Sequence, residues 1–120
     1  DWVRTRETFG RPLISRQQVQ NTVTEMARRT DVARVYTRAV VDKYIVGGDD
    51  LIAEVCFAKN TAIEAGEWVA NQAVQLFGGL GYMTGTEVER QYRDIRILGI
   101  GGGTTEILTS LAAKRLGYQA

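Results

Sequence analysis

An all-α fold, an up-and-down four-helix bundle, is predicted by three observations on this 120-residue sequence. Val19, Val23, Met26, Ala33, Tyr36, Val40 and Tyr44 recur at helical spacing, and so do Ile52, Val55, Ile63, Val69 or Ala70, and Ala73. Gly47-Gly48-Asp49-Asp50 separates the two stretches, and two long helices joined by so short a turn lie antiparallel. No segment shows a convincing period-two alternation; Ile95-Arg96-Ile97 comes nearest and reads as a linker. There is no internal repeat and no low-complexity segment.

The elements follow in order. Asp1 to Thr8 reads as the last two turns of a helix with neither an initiator methionine nor a clear cap before it. About eight residues are marginal as a helix alone. The expectation is therefore one helical domain, 1–120, truncated at its N-terminus and part of a longer polypeptide. Gly10 with Pro12 two residues later stops the first piece. Ser15 with Gln18 makes a capping box for a long helix running to about Val46. Asp49 or Asp50 caps the third helix, from about Leu51 to Leu76. Along it Ala58, Ala62, Ala65 and Gly66 allow a neighbouring helix to approach closely. Gly78-Gly79-Leu80-Gly81 ends that helix, and Thr86 with Glu89 caps a short one from Glu87 to Arg93. An irregular link from Ile95 to Gly101 follows. The last helix runs from about Thr104 to Leu116 and stops at Gly117.

Composition excludes several functions. A net charge of +1 gives no reason to expect nucleic acid or an anionic membrane as partner. No apolar run approaches the roughly 20 residues that span a bilayer, and no signal peptide opens the sequence. Cys56 is the only cysteine, so an internal disulfide is impossible; mid-helix, it reads as a buried inert thiol. Without any histidine the commonest general base and metal ligand is missing, and no metal is expected. Trp68, Tyr82 and Tyr92 read as core or subunit-interface residues, and Glu87 and Glu89 as a solvated, capped helix start.

The glycine clusters carry the chemistry. Gly101-Gly102-Gly103-Thr104-Thr105-Glu106 opens the last helix with a backbone free of side chains, where a flat ligand can approach N–H groups closely. Neither this cluster nor Gly78–Gly81 precedes the Gly-Lys-Ser/Thr of a phosphate loop or sits in a βαβ unit. As bare physics each is more often a helix stop than a ligand cradle. In series, however, Arg6-x-x-Phe9-Gly10, Gln75-x-x-Gly78-Gly79-x-Gly81-Tyr82, Arg93-Asp94 and Gly102-Gly103-Thr104-x-Glu106-Ile107 resemble the C-terminal helical domain of the acyl-CoA dehydrogenases. The likeness covers nearly the whole sequence, in the family's order.

The resemblance implies the cofactor FAD, bound between subunits of a dimer or tetramer. Arg6, Thr8, Phe9 and Gln17 would then meet the FAD of a partner subunit, the arginine at the pyrophosphate and the aromatic against the dinucleotide. Gln75, Gly78 and Gly79 would reach the same nucleotide near its adenosine end. Taken singly, Arg6 equally suits a helix C-terminus, Phe9 a core anchor and Gln17 an exposed first turn. Thr104 and Glu106 would flank the flavin of their own subunit, while Gly101 and Gly102 line the acyl-CoA thioester. The backbone N–H of Gly102 would face the thioester oxygen as it becomes enolate-like. Arg93-Asp94 is expected to fix the bend before this loop.

Where many members of the family carry the catalytic glutamate, this sequence has Gly102, so no residue of the chain is assigned as catalytic. Glu106 is a poor replacement, since its matched position is a flavin contact and it suits a first helical turn. Two explanations stand: a glutamate on an earlier helix upstream of Asp1, as in isovaleryl- and long-chain acyl-CoA dehydrogenases, or a subunit with no base. The implied activity is oxidation of an acyl-CoA to the trans-2-enoyl-CoA, with electrons passed to an electron-transfer flavoprotein. The fragment alone is expected to be inactive. The alternatives are a catalytically silent assembly subunit, an acyl-CoA oxidase of the same superfamily, and a cofactor-free helical scaffold. The compartment implied is bacterial cytoplasm, or the mitochondrial matrix in a eukaryote.

Overall fold

The computed structural model describes residues 1–118. It opens with one helical turn, α1 (Trp2–Thr5), and a small antiparallel hairpin of β1 (Glu7–Thr8) and β2 (Arg11–Pro12). A 3₁₀ turn over Leu13–Ser15 leads into α2 (Gln17–Ile45). Then come α3 (Ile52–Phe77), the single turn α4 (Gly79–Tyr82), α5 (Glu87–Leu98) and α6 (Thr105–Arg115). The fold is all-α, and α3 is its hub, with α2, α5 and α6 each packed along it. Among the described residues no helix is long and apolar enough to cross a membrane.

The core is built of small side chains. Val19, Ala33 and Val40 are buried on α2, and Ala53, Cys56, Ala58, Ile63 and Ala65 on α3. Ala53 and Cys56 meet Ala112 of α6, with Ile52 and Leu108 sealing the contact. A Cβ on Gly66 would lie 2.9 Å from Cδ1 of Ile95, so α5 approaches α3 only because position 66 has no side chain. Side chains at the rim add Arg29 over the Trp68 ring at 4.4 Å, Arg96 with Glu67 at 2.9 Å and Lys43 with Glu54 at 3.7 Å. At the other end Trp2 donates its indole N–H to the Leu76 carbonyl (3.0 Å) and stacks on Phe77, centroids 4.6 Å apart. That pair fastens the N-terminal turn to the end of α3.

The molecule is elongated, 60 × 26 × 25 Å, with a radius of gyration of 17.9 Å. A compact domain of this length would have about 14 Å. Large apolar side chains therefore stay uncovered: Tyr44 is 72% exposed and Val46 83%.

The structure corrects several local expectations. The first piece is one turn and a hairpin, because the backbone turns extended at Arg6 and hairpin pairing replaces helical bonds. Ser15 caps nothing; its hydroxyl donates to the Pro12 carbonyl (2.7 Å), and α2 starts from Arg16 with no side-chain cap. Neither Asp49 nor Asp50 caps α3, whose N-cap is Leu51; Asp50 faces Arg115 at 3.7 Å instead. The Gly78 stop is followed at once by the α4 turn. Helix α5 runs on to Leu98, through the expected link, since Ile95 finds its seat on Gly66. The Thr86 hydroxyl does accept from the Glu89 amide (3.2 Å), but the Glu89 carboxylate turns to Arg93 and is buried rather than solvated. Arg93 and Asp94 do not hold a bend: Arg93 pairs with Glu89, and Asp94 with Arg90, all within α5. Tyr44, Val55 and Ala62 face solvent, Cys56 taking the buried place next to Val55.

Candidate functional site

The candidate residues form two groups on opposite parts of α3. The first gathers around its C-terminal end. Gly78 ends the helix with φ 62°, a left-handed conformation that suits glycine, and its N–H bonds back to the Val74 and Gln75 carbonyls. A Cβ on Gly78 or Gly79 would meet nothing within 4 Å, so this backbone is bare to a flat partner. Gly81 differs: a Cβ there would lie 2.8 Å from both Phe77 Cβ and the Val74 carbonyl oxygen, so its glycine serves packing. Gln75 is exposed on the last turn of α3.

Through the Trp2–Phe77 stack the hairpin joins this end of α3. Phe9 sits at the hairpin apex with φ 51° and is 97% exposed. A left-handed phenylalanine open to water fits a binding ring rather than a core anchor. Arg16, which sequence reasoning missed, places its guanidinium 5.6 Å from that ring and donates to the Thr8 carbonyl (2.6 Å) and hydroxyl (2.7 Å). Arg6 lies 5.8 Å from the Trp2 ring with its charge in solvent, and Gln17 is exposed at the start of α2. Two guanidiniums, an open ring and a bare glycine backbone fit the pyrophosphate and adenosine of a dinucleotide.

The second group is the turn between α5 and α6. Gly102 and Gly103 both have positive φ, 68° and 94°, which wraps the chain back toward α3. Lys59 of α3, also missed from the sequence, donates its ammonium to the carbonyls of Gly101 (2.6 Å) and Gly103. Next to it Asn60 donates to the Thr105 carbonyl (3.2 Å) and the Thr109 hydroxyl (3.1 Å). The α6 terminus is not bare. Thr104 caps it, its hydroxyl accepting from the Ile107 amide at 3.3 Å. Glu106 takes its own amide and the Thr104 hydroxyl, and these bonds, with the Arg96 charge, hold its carboxyl below the usual range. The Gly101 amide is spent on the Ile97 carbonyl (2.7 Å), whereas that of Gly102 meets no acceptor among the described residues. The free N–H thus belongs to the glycine turn.

Lys59 and Gln75 stand 16 residues apart on α3, about 24 Å along the axis. The two groups therefore cannot share one small-molecule pocket within the chain.

A helical domain built on one central helix, with a lysine-clamped glycine turn at one part and bare glycines at its end, defines the structural class. The family model for the C-terminal domain of acyl-CoA dehydrogenases matches residues 1–117, and the chain belongs to this family. It is 38% identical over 117 residues to the short-chain specific acyl-CoA dehydrogenase of human mitochondria, covering 97% of this chain and 28% of that protein. It is 35% identical to the 3-sulfinopropanoyl-CoA desulfinase of Advenella mimigardefordensis, covering 96% and 28%. Among solved structures, a protein assigned to the acyl-CoA dehydrogenases from Mycobacterium smegmatis superposes with TM-score 0.97 at 78% identity, covering 99% of this chain and 31% of that one. The chain spans less than a third of the length of each of these relatives.

Proposed function

We propose that this chain is the FAD-binding and oligomerisation domain at the C-terminal end of a longer acyl-CoA dehydrogenase, one that oxidises an acyl-CoA to the trans-2-enoyl-CoA. The observation that carries the reading is the glycine turn, which presents the Gly102 amide without a partner beside the capped start of α6. A thioester oxygen seated on that amide gains a hydrogen bond that strengthens as negative charge develops on it. Thr104 and Glu106 border the flavin of the same subunit. Arg6, Thr8, Arg16, Phe9, Gln17, Gln75, Gly78 and Gly79 hold the nucleotide part of a neighbour's FAD, which ties cofactor binding to a homo-oligomer. When bound, FAD supplies the acceptor for the hydride lost from the β carbon. Position 102 has no side chain to take the α proton, so the base is a carboxylate on a segment outside this chain. The electron acceptor is an electron-transfer flavoprotein, and the compartment is bacterial cytoplasm or mitochondrial matrix.

A second reading has one observation in its favour. Gly102 lacks the carboxylate, and a relative at 35% identity is named for removing a sulfinate from an acyl-CoA. In that reading the same turn holds a thioester without proton abstraction and hydride loss. Anaerobic titration of the intact protein with a panel of straight, branched and sulfino-substituted acyl-CoAs separates the two. Bleaching of the visible flavin band by an acyl-CoA supports dehydrogenation. Release of sulfite, with a hydrogen from water replacing the sulfino group on carbon and the band unchanged, supports the second reading, and a protein without a flavin band contradicts the first. The chain 1–120 alone, given FAD, is expected to turn over no acyl-CoA; detectable turnover would overturn the assignment of the base to another segment.

A further inference from the structure

We propose that Lys59 is the positioning residue of the thioester seat, holding the Gly101–Gly103 turn by two of its carbonyls so that the Gly102 amide points outward. A turn of three glycines is the least self-ordered backbone a protein can place at a reacting centre, because glycine loses the most freedom on folding. Something outside the turn must hold it. The structure shows what does: the Lys59 ammonium donates to the carbonyls of Gly101 (2.6 Å) and Gly103. The Gly101 oxygen shares a trans peptide unit with the Gly102 N–H, and the two point in opposite directions, so drawing that oxygen toward α3 turns the Gly102 amide away from it, while the bond to Gly103 holds the far side of the turn. Asn60 anchors the next residues through Thr105 and Thr109, which fixes the exit of the turn.

The placement of Lys59 supports the assignment. It is half-buried and lies on the stripe of α3 that also carries Ile52, Cys56 and Ile63, respectively seven, three and four residues away. An unneutralised lysine on an apolar face is disfavoured unless its donors are satisfied. Here the turn takes two of its three donors, and no ion pair with a carboxylate is made among the described residues. A Cβ at position 102 would lie 3.7 Å from the ammonium nitrogen, so the charge stands next to the seat. Lysine therefore does two things: it fixes the amide and leaves a positive charge beside the oxygen that becomes enolate-like.

The catalytic consequence rests on the acyl-CoA reading above; the clamp itself does not. The test uses the intact flavin-loaded protein, comparing Lys59→Met and Lys59→Arg with wild type. Four quantities are followed: flavin content, amide hydrogen exchange in the 99–106 segment, and kcat and KM with the acyl-CoA that bleaches the flavin. Lys59→Met should exchange faster in that segment while flavin content holds. Its kcat should fall about tenfold or more with KM little changed, the signature of an interaction made mainly in the transition state. Lys59→Arg, with cation and donors, should recover part of both. If Lys59→Met does not fold, Lys59→Gln, which keeps donors without charge, should show the same faster exchange. Wild-type exchange in the folded variant would overturn the clamp. Faster exchange with unaltered kcat, or an arginine variant no better than methionine, would overturn the positioning role. If wild type oxidises no acyl-CoA, the functional reading fails and the exchange result still decides the clamp.

Discussion

Four glycines show how differently one residue type can work. Gly81 is packed: alanine there would press on Phe77 and the Val74 carbonyl, and should destabilise the chain by about 1–3 kcal/mol in a denaturant titration. Gly78 is open but left-handed, so Gly78→Ala should cost about 1–2 kcal/mol from backbone conformation alone. Gly79 is neither, and Gly79→Ala should leave the melting temperature of the chain unchanged. In the intact protein the same substitution should weaken FAD retention, because a methyl group would hold a dinucleotide off the backbone; equal flavin affinity would remove this position from the site. Gly102 was legible as a special position through the resemblance, which implies a catalytic glutamate there in many family members. Lys59 was not, although a lone lysine among Ile52, Cys56 and Ile63 was a readable signal. Its meaning depends on a turn 42 residues away in sequence, and spacing along one helix cannot supply that contact.

At the scale of elements, helix existence was written in the sequence and helix ends were only partly so. The periodic runs gave α2 and α3 nearly to the residue, and the Gly78 and Gly117 stops hold, both with positive φ. Caps failed where a tertiary or local partner outbid the helix: Ser15 went to Pro12 and Asp50 to Arg115. The reach of α5 beyond Arg93 depends on Gly66 receiving Ile95, a contact between elements. The N-terminal turn likewise exists through Trp2. Trp2→Ala removes the stack on Phe77 and the bond to Leu76, and should lower stability by about 2 kcal/mol, given that the indole is only half-buried. On α2, the hydrogen bond from Arg28, with Arg29 beside it, lowers the Glu25 carboxyl from 4.5 to about 2. A depressed carboxyl contributes fully above its unfolded pKa and loses that contribution as pH falls through the folded one. Glu25→Gln should therefore melt slightly below wild type at pH 6, and the gap should close between pH 4.5 and 2. A gap that persists at pH 2 would assign the effect to something other than this ion pair.

For the whole molecule, the all-α class was legible but the shape was not. A helix pattern tells which face is apolar; it does not tell whether that face is covered by the same chain. Here much is uncovered, including Val32, Val35, Tyr44 and Ile45 of α2 and Val46 at its C-cap. Exposure on this scale in an ordered helix fits a surface that packs against another chain. The chain should self-associate at micromolar concentration in light scattering, and Ile45→Glu with Val46→Glu should shift it toward monomer without loss of helicity. A monomeric wild type would move the interface to another face. Under the proposed function the two candidate groups, about 24 Å apart on α3, would become parts of flavin sites in such an assembly. The account stands most directly on where a thioester binds. A crystal structure of the intact flavoprotein with a non-reactive acyl-CoA analogue tests it. The thioester oxygen is expected within about 3 Å of the Gly102 amide nitrogen, with Lys59 still on the Gly101 and Gly103 carbonyls. A thioester bound elsewhere, with that amide covered by another acceptor, would contradict it.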